Sequence, residues 1–264
     1  MRITWNNHAV FAADGGQSFD PTRPVVVFIH GAGLESAVWA LHSRWFAHHG
    51  WSVLAVDLPG HGRSGGAPLP SIAAMADWIA GLLTHLGIPQ AALVGHSMGS
   101  LVALSAAARH PDRVRALGLI GAAAAMPVHD ALLTAAQANH PDAVAMVNLW
   151  GHGAHAVQGG SQAPGLWMQG TGARLLEKAA PGVLGNDLSA CNAYQDGPAD
   201  AARVSCQTVI IAGQRDAMTP LKAAKALAGF IPSARLTVLD GAGHMLMAER
   251  PDEVLRALRQ TVNV

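Results

Sequence analysis

Short β-branched apolar runs alternate along this chain with longer stretches rich in alanine and leucine. The runs are VVVFIH (25–30), SVLAVD (52–57), AALVGH (91–96), VRALGLIG (114–121), QTVIIAG (207–213) and ARLTVLD (234–240). In most of them the apolar residues follow one another, so most of the sheet is expected to be parallel and buried on both faces. Between them, residues 36–49, 71–86, 98–109, 219–229 and 251–261 read as helices. The alternation is that of crossover units feeding a parallel sheet. Residues 1–19 read as a leading antiparallel hairpin. The expected fold class is α/β: a mostly parallel, doubly wound sheet of about eight strands, two of them from the hairpin.

The rhythm breaks after Gly121 and does not resume until Val204. No β-run falls in that interval. Helices are expected at 128–139, 141–150 and 166–179, with GHGAHAVQGGSQAPG (151–165) as a flexible connector. The organisation expected is therefore a core of residues 1–121 and 205–264, with 122–204 inserted as a helical cap.

Composition narrows the function classes. Apolar residues make up 50% of the chain and charged residues 13%, enough for a core and against disorder. Seventeen basic residues balance seventeen acidic ones with no like-charge block, so neither a nucleic acid nor an anionic membrane is an expected partner. A small neutral or weakly charged molecule fits better. The longest apolar run, 116–126, falls well short of the roughly 20 residues that span a bilayer. The opening MRITWNNHAV lacks a secretory pattern, and a soluble cytoplasmic protein is expected. Cys191 and Cys206 read as reduced thiols, since a chain with this much core needs no staple.

Candidate chemistry starts at LVGHSMG (93–99), where Gly95, Ser97 and Gly99 form Gly-x-Ser-x-Gly between an apolar strand and an Ala/Leu/Val helix. A sharp strand-to-helix turn there strains the serine backbone and leaves no room for side chains at 95 and 99. Ser97 is thereby aimed out from the carboxyl end of the sheet. A hydroxyl needs a base to take its proton. His244, in LDGAGHMLMAERP, follows the last strand and falls on a loop at the same edge. His96 sits inside the turn, with its side chain expected to point away, and His30 and His61 lie in glycine turns that suggest structural hydrogen bonds. The base in turn needs a carboxylate to fix its tautomer. Asp216, in AGQRDAMTP just past the 207–213 strand, leads over Asp196, Asp200 and Asp240, and the chain order Ser97, Asp216, His244 suits this architecture. Two backbone amides, Met98 at the start of the helix and Ala32 in the HGAG turn (30–33), are the expected oxyanion donors.

A rival reading takes GAGLES (31–36) as part of a dinucleotide fingerprint with Asp57 on the ribose. Ser36 stands where the third glycine belongs, and the serine, aspartate and histidine arrangement is left unexplained. Asp57 instead opens DLPGHGRSGG (57–66), a turn that reads as structure.

With HGAG, DLPGHGRS, GHSMG, AGQRD and GAGH in this order and spacing, the chain resembles the α/β-hydrolase superfamily. It is most similar to small carboxylesterases, monoacylglycerol lipases and carrier-protein methyl ester esterases, which place a helical cap after the sixth strand. The resemblance extends over nearly the whole chain outside the insertion. It implies a serine esterase acting on a small, largely apolar carboxylic ester without cofactor or metal. Thioesterases, lactonases, cofactor-free peroxidases and carbon–carbon bond hydrolases share the same machinery, and a non-catalytic binder could share the fold. One departure is Ser100, where a glycine or alanine often follows GHSMG. Met126, Leu149, Trp150, Leu166, Trp167 and Met168 suggest an apolar pocket wall contributed by the insertion. His152 and His155 lie close together, but no carboxylate or thiol is near them in sequence, so no metal site is expected.

Overall fold

The computed structural model describes residues 1–157, 159–163 and 165–262. Eight strands form one sheet: β1 (Arg2–Trp5), β2 (His8–Ala13), β3 (Val25–Ile29), β4 (Ser52–Val56), β5 (Ala91–His96), β6 (Val114–Ile120), β7 (Gln207–Gly213) and β8 (Ala234–Leu239). Their spatial order is β1-β2-β4-β3-β5-β6-β7-β8. β1 pairs antiparallel with β2 and β2 with β4; every later pairing is parallel. The hairpin and the parallel sheet are both as the apolar pattern predicts.

Period two explains why the β3 run is unbroken. Val25, Val27 and Ile29 enter one core layer, while Val26 and Phe28 enter the other beside Trp39 and Phe46. Neither face meets water, so no position in the strand is free to be polar.

The crossover helices are α1 (Ala40–Ala47), α2 (Ile72–His85) and α3 (Met98–Arg109). The first begins later than the pattern suggests, because Ser36–Trp39 forms a 3-10 turn in which Asp57 Oδ1 takes the Ser36 N–H at 2.7 Å. Ser71 caps α2, its hydroxyl accepting the Ala74 N–H at 3.2 Å.

Between β6 and β7 the chain is helical: α4 (Asp130–Gln137), α5 (Pro141–Gly151), α6 (Ala154–Val157), α7 (Met168–Lys178), α8 (Val183–Ala193) and α9 (Gly197–Arg203). The expected connector thus holds one helical turn, α6, though Gln158 and Pro164 lie outside the described residues. Helices α8 and α9 are additions to the sequence-based expectation. After β7 come α10 (Leu221–Phe230), α11 (Leu246–Glu249) and α12 (Pro251–Val262). Among the described residues, no helix is long and apolar enough to cross a membrane.

The parallel topology puts the exits of β3, β5, β7 and β8 at one edge of the sheet, and α4, α5, α7 and α8 face that edge.

Candidate active site

Ser97 separates β5 from α3 and holds φ 53° and ψ −119°, a region that side-chain-bearing residues rarely adopt. The turn is locked from several directions. A Cβ on Gly95 would lie 2.0 Å from the Gly99 carbonyl oxygen, and one on Gly99 would lie 2.2 Å from the Ile29 carbonyl oxygen. The Ser97 N–H donates to the Ile120 carbonyl at 2.9 Å. Ser100, the departure in the motif, has a use: its hydroxyl donates to the Ser97 carbonyl at 2.6 Å.

His244 lies between β8 and α11 and is 2% exposed. Its Nδ1 is 2.8 Å from Asp216 Oδ2, so Nδ1 carries a proton and, whenever the ring is neutral, Nε2 presents a lone pair. Nε2 has no hydrogen-bond partner among the described residues and lies buried, while Ser97 and His244 both line one cavity. Gly121, at the end of β6, makes space for the ring, because a Cβ there would lie 2.9 Å from His244 Cε1.

Asp216 is buried in a turn built to keep it ionised. Its Oδ1 accepts the N–H groups of Met218 and Thr219 at 2.9 and 2.8 Å. Its Oδ2 accepts the Thr219 hydroxyl at 2.7 Å, and that hydroxyl is 3.2 Å from His244 Nδ1. Burial alone would raise this carboxyl, but the neighbouring His244 charge and the His244 and Thr219 hydrogen bonds hold it below its ordinary value. Thr219 escaped the sequence reading, although a hydroxyl three residues after an aspartate and just before Pro220 is a recognisable turn signal.

The rival histidines have other tasks. His96 does not point away, as the sequence suggested: its ring centroid is 4.7 Å from that of His244, and Nε2 donates to the His244 carbonyl at 3.0 Å. Burial and the adjacent His244 push it down to about 3, so it stays neutral. His30 accepts the Leu58 N–H on Nε2 at 3.1 Å.

His61 donates from both nitrogens, to the Pro59 carbonyl at 3.0 Å and to Asp187 Oδ2 at 2.8 Å. Burial opposes its charge, yet the hydrogen bond and charge of Asp187 prevail and raise its pKa. The same Asp187 oxygen takes the Gly33 N–H at 2.9 Å. A carboxylate from α8 therefore ties the turn after β3 to the turn after β4. Ala32, one of the two expected amide donors, lines the cavity beside Ser97. Met98, the other, is the first residue of α3, where a helix leaves its N–H groups without intrahelical acceptors.

The cavity measures about 340 Å³, within the range of small-molecule sites. Leu34, Met126, Leu132, Val147, Trp150 and Leu188 supply much of its wall. Cys191 joins them; burial pushes its thiol up, so it stays protonated. Of the expected pocket residues, Met126 and Trp150 line the space and four do not, Leu166 being half-buried outside it. Leu149 is 63% and Trp167 72% exposed, and Met168 is buried away from the cavity. The reason for Leu149 is helical phase: Val147, Asn148, Trp150 and Gly151 of α5 turn inward and leave it facing out.

Comparison with known proteins gives a consistent picture. The model of the alpha/beta hydrolase family matches residues 26–257. A pimeloyl-[acyl-carrier protein] methyl ester esterase of Chromobacterium violaceum is 33% identical over 246 residues, which cover 90% of this chain and 93% of that one. Among solved structures, the enol-lactonase from Burkholderia xenovorans superposes with a TM-score of 0.87 at 22% identity, covering 100% of both chains. A thermophilic esterase from Thermogutta terrifontis superposes at 0.83 and 24% identity, covering 98% of this chain and 96% of that one. At such identities the structural likeness is one of fold.

Proposed function

Because the chain belongs to the alpha/beta hydrolase family, we propose that it is a serine hydrolase that cleaves a small, largely apolar carboxylic ester through an acyl-enzyme intermediate. The observation that carries this reading is the His244–Asp216 pair at 2.8 Å on the cavity that Ser97 lines. Asp216 fixes the tautomer in which His244 Nε2 accepts a proton.

In the first step Ser97 Oγ bonds to the ester carbonyl carbon and its proton passes to His244 Nε2. The carbonyl oxygen becomes negative and takes hydrogen bonds from the amides of Ala32 and Met98. The intermediate collapses, the carbon–oxygen bond to the alcohol breaks, and His244 returns its proton to the leaving oxygen. Water then repeats the sequence on the acyl-enzyme, releasing the acid and restoring Ser97. Residues 122–204 act as a cap whose apolar residues select the substrate.

A carrier-protein methyl ester esterase among the relatives supports an ester linkage. The apolar wall with no Asp, Glu, Lys or Arg in the lining supports an uncharged acyl or alkyl group. Fluorophosphonate labelling tests the reading: a covalent adduct on Ser97 is expected. Ser97→Ala stays folded, loses the adduct and loses about 10³-fold or more in turnover of p-nitrophenyl esters. A fully active Ser97→Ala protein refutes the mechanism, and a chain that binds esters without labelling or turnover is a binder.

A further inference from the structure

Among the apolar lining, two polar groups meet the cavity without a protein partner among the described residues. Asn148 Oδ1 and His152 Nε2 are buried and form no hydrogen bond among the described residues. Both residues line the cavity, and His152 is 9% exposed. Asn148 lies in the last turn of α5 and His152 is the residue that follows the helix, in extended conformation.

Chemistry fixes what they offer. His152 Nδ1 lies 2.8 Å from the Asn148 backbone carbonyl, which can only accept, so Nδ1 carries a proton and, in the neutral form of the ring, Nε2 presents a lone pair. Asn148 Oδ1 is a second acceptor. Gly172 on α7 keeps the space before them clear, since a Cβ there would lie 2.9 Å from Asn148 Oδ1 and 3.2 Å from His152 Cε1. An unsatisfied buried acceptor is destabilising, and this wall holds two side by side. Nothing in the packing compensates them, whereas one donor group between them would. Among the described residues, no acidic side chain lines the cavity to balance a cation.

We propose that Asn148 and His152 form a recognition site for a neutral hydrogen-bond donor on the substrate, a hydroxyl or amide N–H held away from the scissile carbonyl. This rests on the esterase reading and sharpens it. The substrate class is an ester whose apolar body bears one such donor, and the pair discriminates without touching the reacting atoms.

The test compares kcat/KM for two ester series. In p-nitrophenyl hexanoates, successive acyl carbons carry a hydroxyl, a methoxy, a terminal carboxylate or no substituent; in butyl and hexyl acetates, the same groups sit on the alcohol side. At one position the hydroxy ester should exceed its methoxy and plain counterparts by about tenfold or more. That ratio should fall toward unity in Asn148→Leu and in His152→Phe, while His152→Gln, which keeps an acceptor, retains part of it. The proposal fails if no hydroxy ester in either series beats its methoxy partner, if the carboxylate esters are preferred, or if the ratio survives both variants. The wild-type series decides even where a variant does not fold. An enzyme labelled at Ser97 that treats all members alike sinks this proposal alone; one that neither labels nor turns over any ester sinks the esterase reading.

Discussion

The backbone carbonyl of Gly151, at the end of α5, accepts the N–H of His244 at 3.0 Å and that of Met245 at 2.8 Å. The helical segment and the loop bearing the proposed base are therefore one hydrogen-bonded unit. Glu249 reinforces it, because Oε2 takes the N–H groups of both Gly153 and Gly243, at 3.1 and 3.0 Å. Gly153→Ala would place a Cβ 2.8 Å from that oxygen and 2.9 Å from the Gly241 carbonyl oxygen. Overpacking of this kind costs about 1–3 kcal/mol. The variant should lose stability in urea and also turnover, since the shift reaches His244; unchanged kcat would separate the two segments.

Asp187 holds the turn containing Ala32 through the Gly33 N–H. Asp187→Asn removes the anion facing His61 and should destabilise the fold by about 3 kcal/mol or more. On the proposed mechanism kcat falls with little change in KM, because oxyanion donors act chiefly in the transition state. Pairing it with His61→Gln should recover stability. Steady-state kinetics beside urea melts check both, and an Asp187→Asn protein with unaltered kcat excludes the clamp from catalysis.

Stability should decline on mild acidification. Burial lowers His30, His42 and His96 from 6.5 to about 4, 4 and 3, helped at His30 by the charge of His61 and at His96 by that of His244. Below pH 6.5 the unfolded chain takes up these protons while the fold refuses them, so stability rises with pH across that interval. The slope is about 1.4 kcal/mol per pH unit for each proton. His61 adds nothing there, since its raised value leaves it protonated in both states; its contribution is lost instead as pH climbs through its folded value. Asp216, held below 3.8, stabilises until pH falls through its own folded value. Urea midpoints at pH 7, 6 and 5 should descend steadily, and equal midpoints contradict the assignment.

Chain-length preference separates two tryptophans that look alike in sequence. Trp150 lines the cavity and Trp167 is 72% exposed. Trp150→Ala should move relative kcat/KM toward longer acyl chains by about tenfold, with Trp167→Ala leaving the profile in place. A p-nitrophenyl ester series reads this directly, and the reverse ranking would relocate the pocket.

The core was legible because its central strands, β3 to β7, are buried on both faces, which leaves nearly unbroken apolar runs. Ser97 and Asp216 were legible because each follows such a run at the carboxyl edge of the sheet, and His244 because it follows the last strand, β8, a half-exposed edge strand. The helical segment obeys weaker signals. Helix α8 carries Gly185, Asn186, Asp187 and Ser189, all poor helix formers, and is held by packing on α3 and α4. Asp187 meets partners 126 and 154 residues away, which no local pattern announces. Leu149 and Trp167 are apolar enough for a wall, but only tertiary structure says which helix face meets the cavity.

The backbone at Ser97 stores a conformational penalty of about 1–3 kcal/mol, and Ser97→Ala removes the hydroxyl without relieving it. Glycine alone would relax there. Selection for heat resistance with no demand on turnover would therefore drift to glycine at this position, making the most durable descendants of this chain its inert ones.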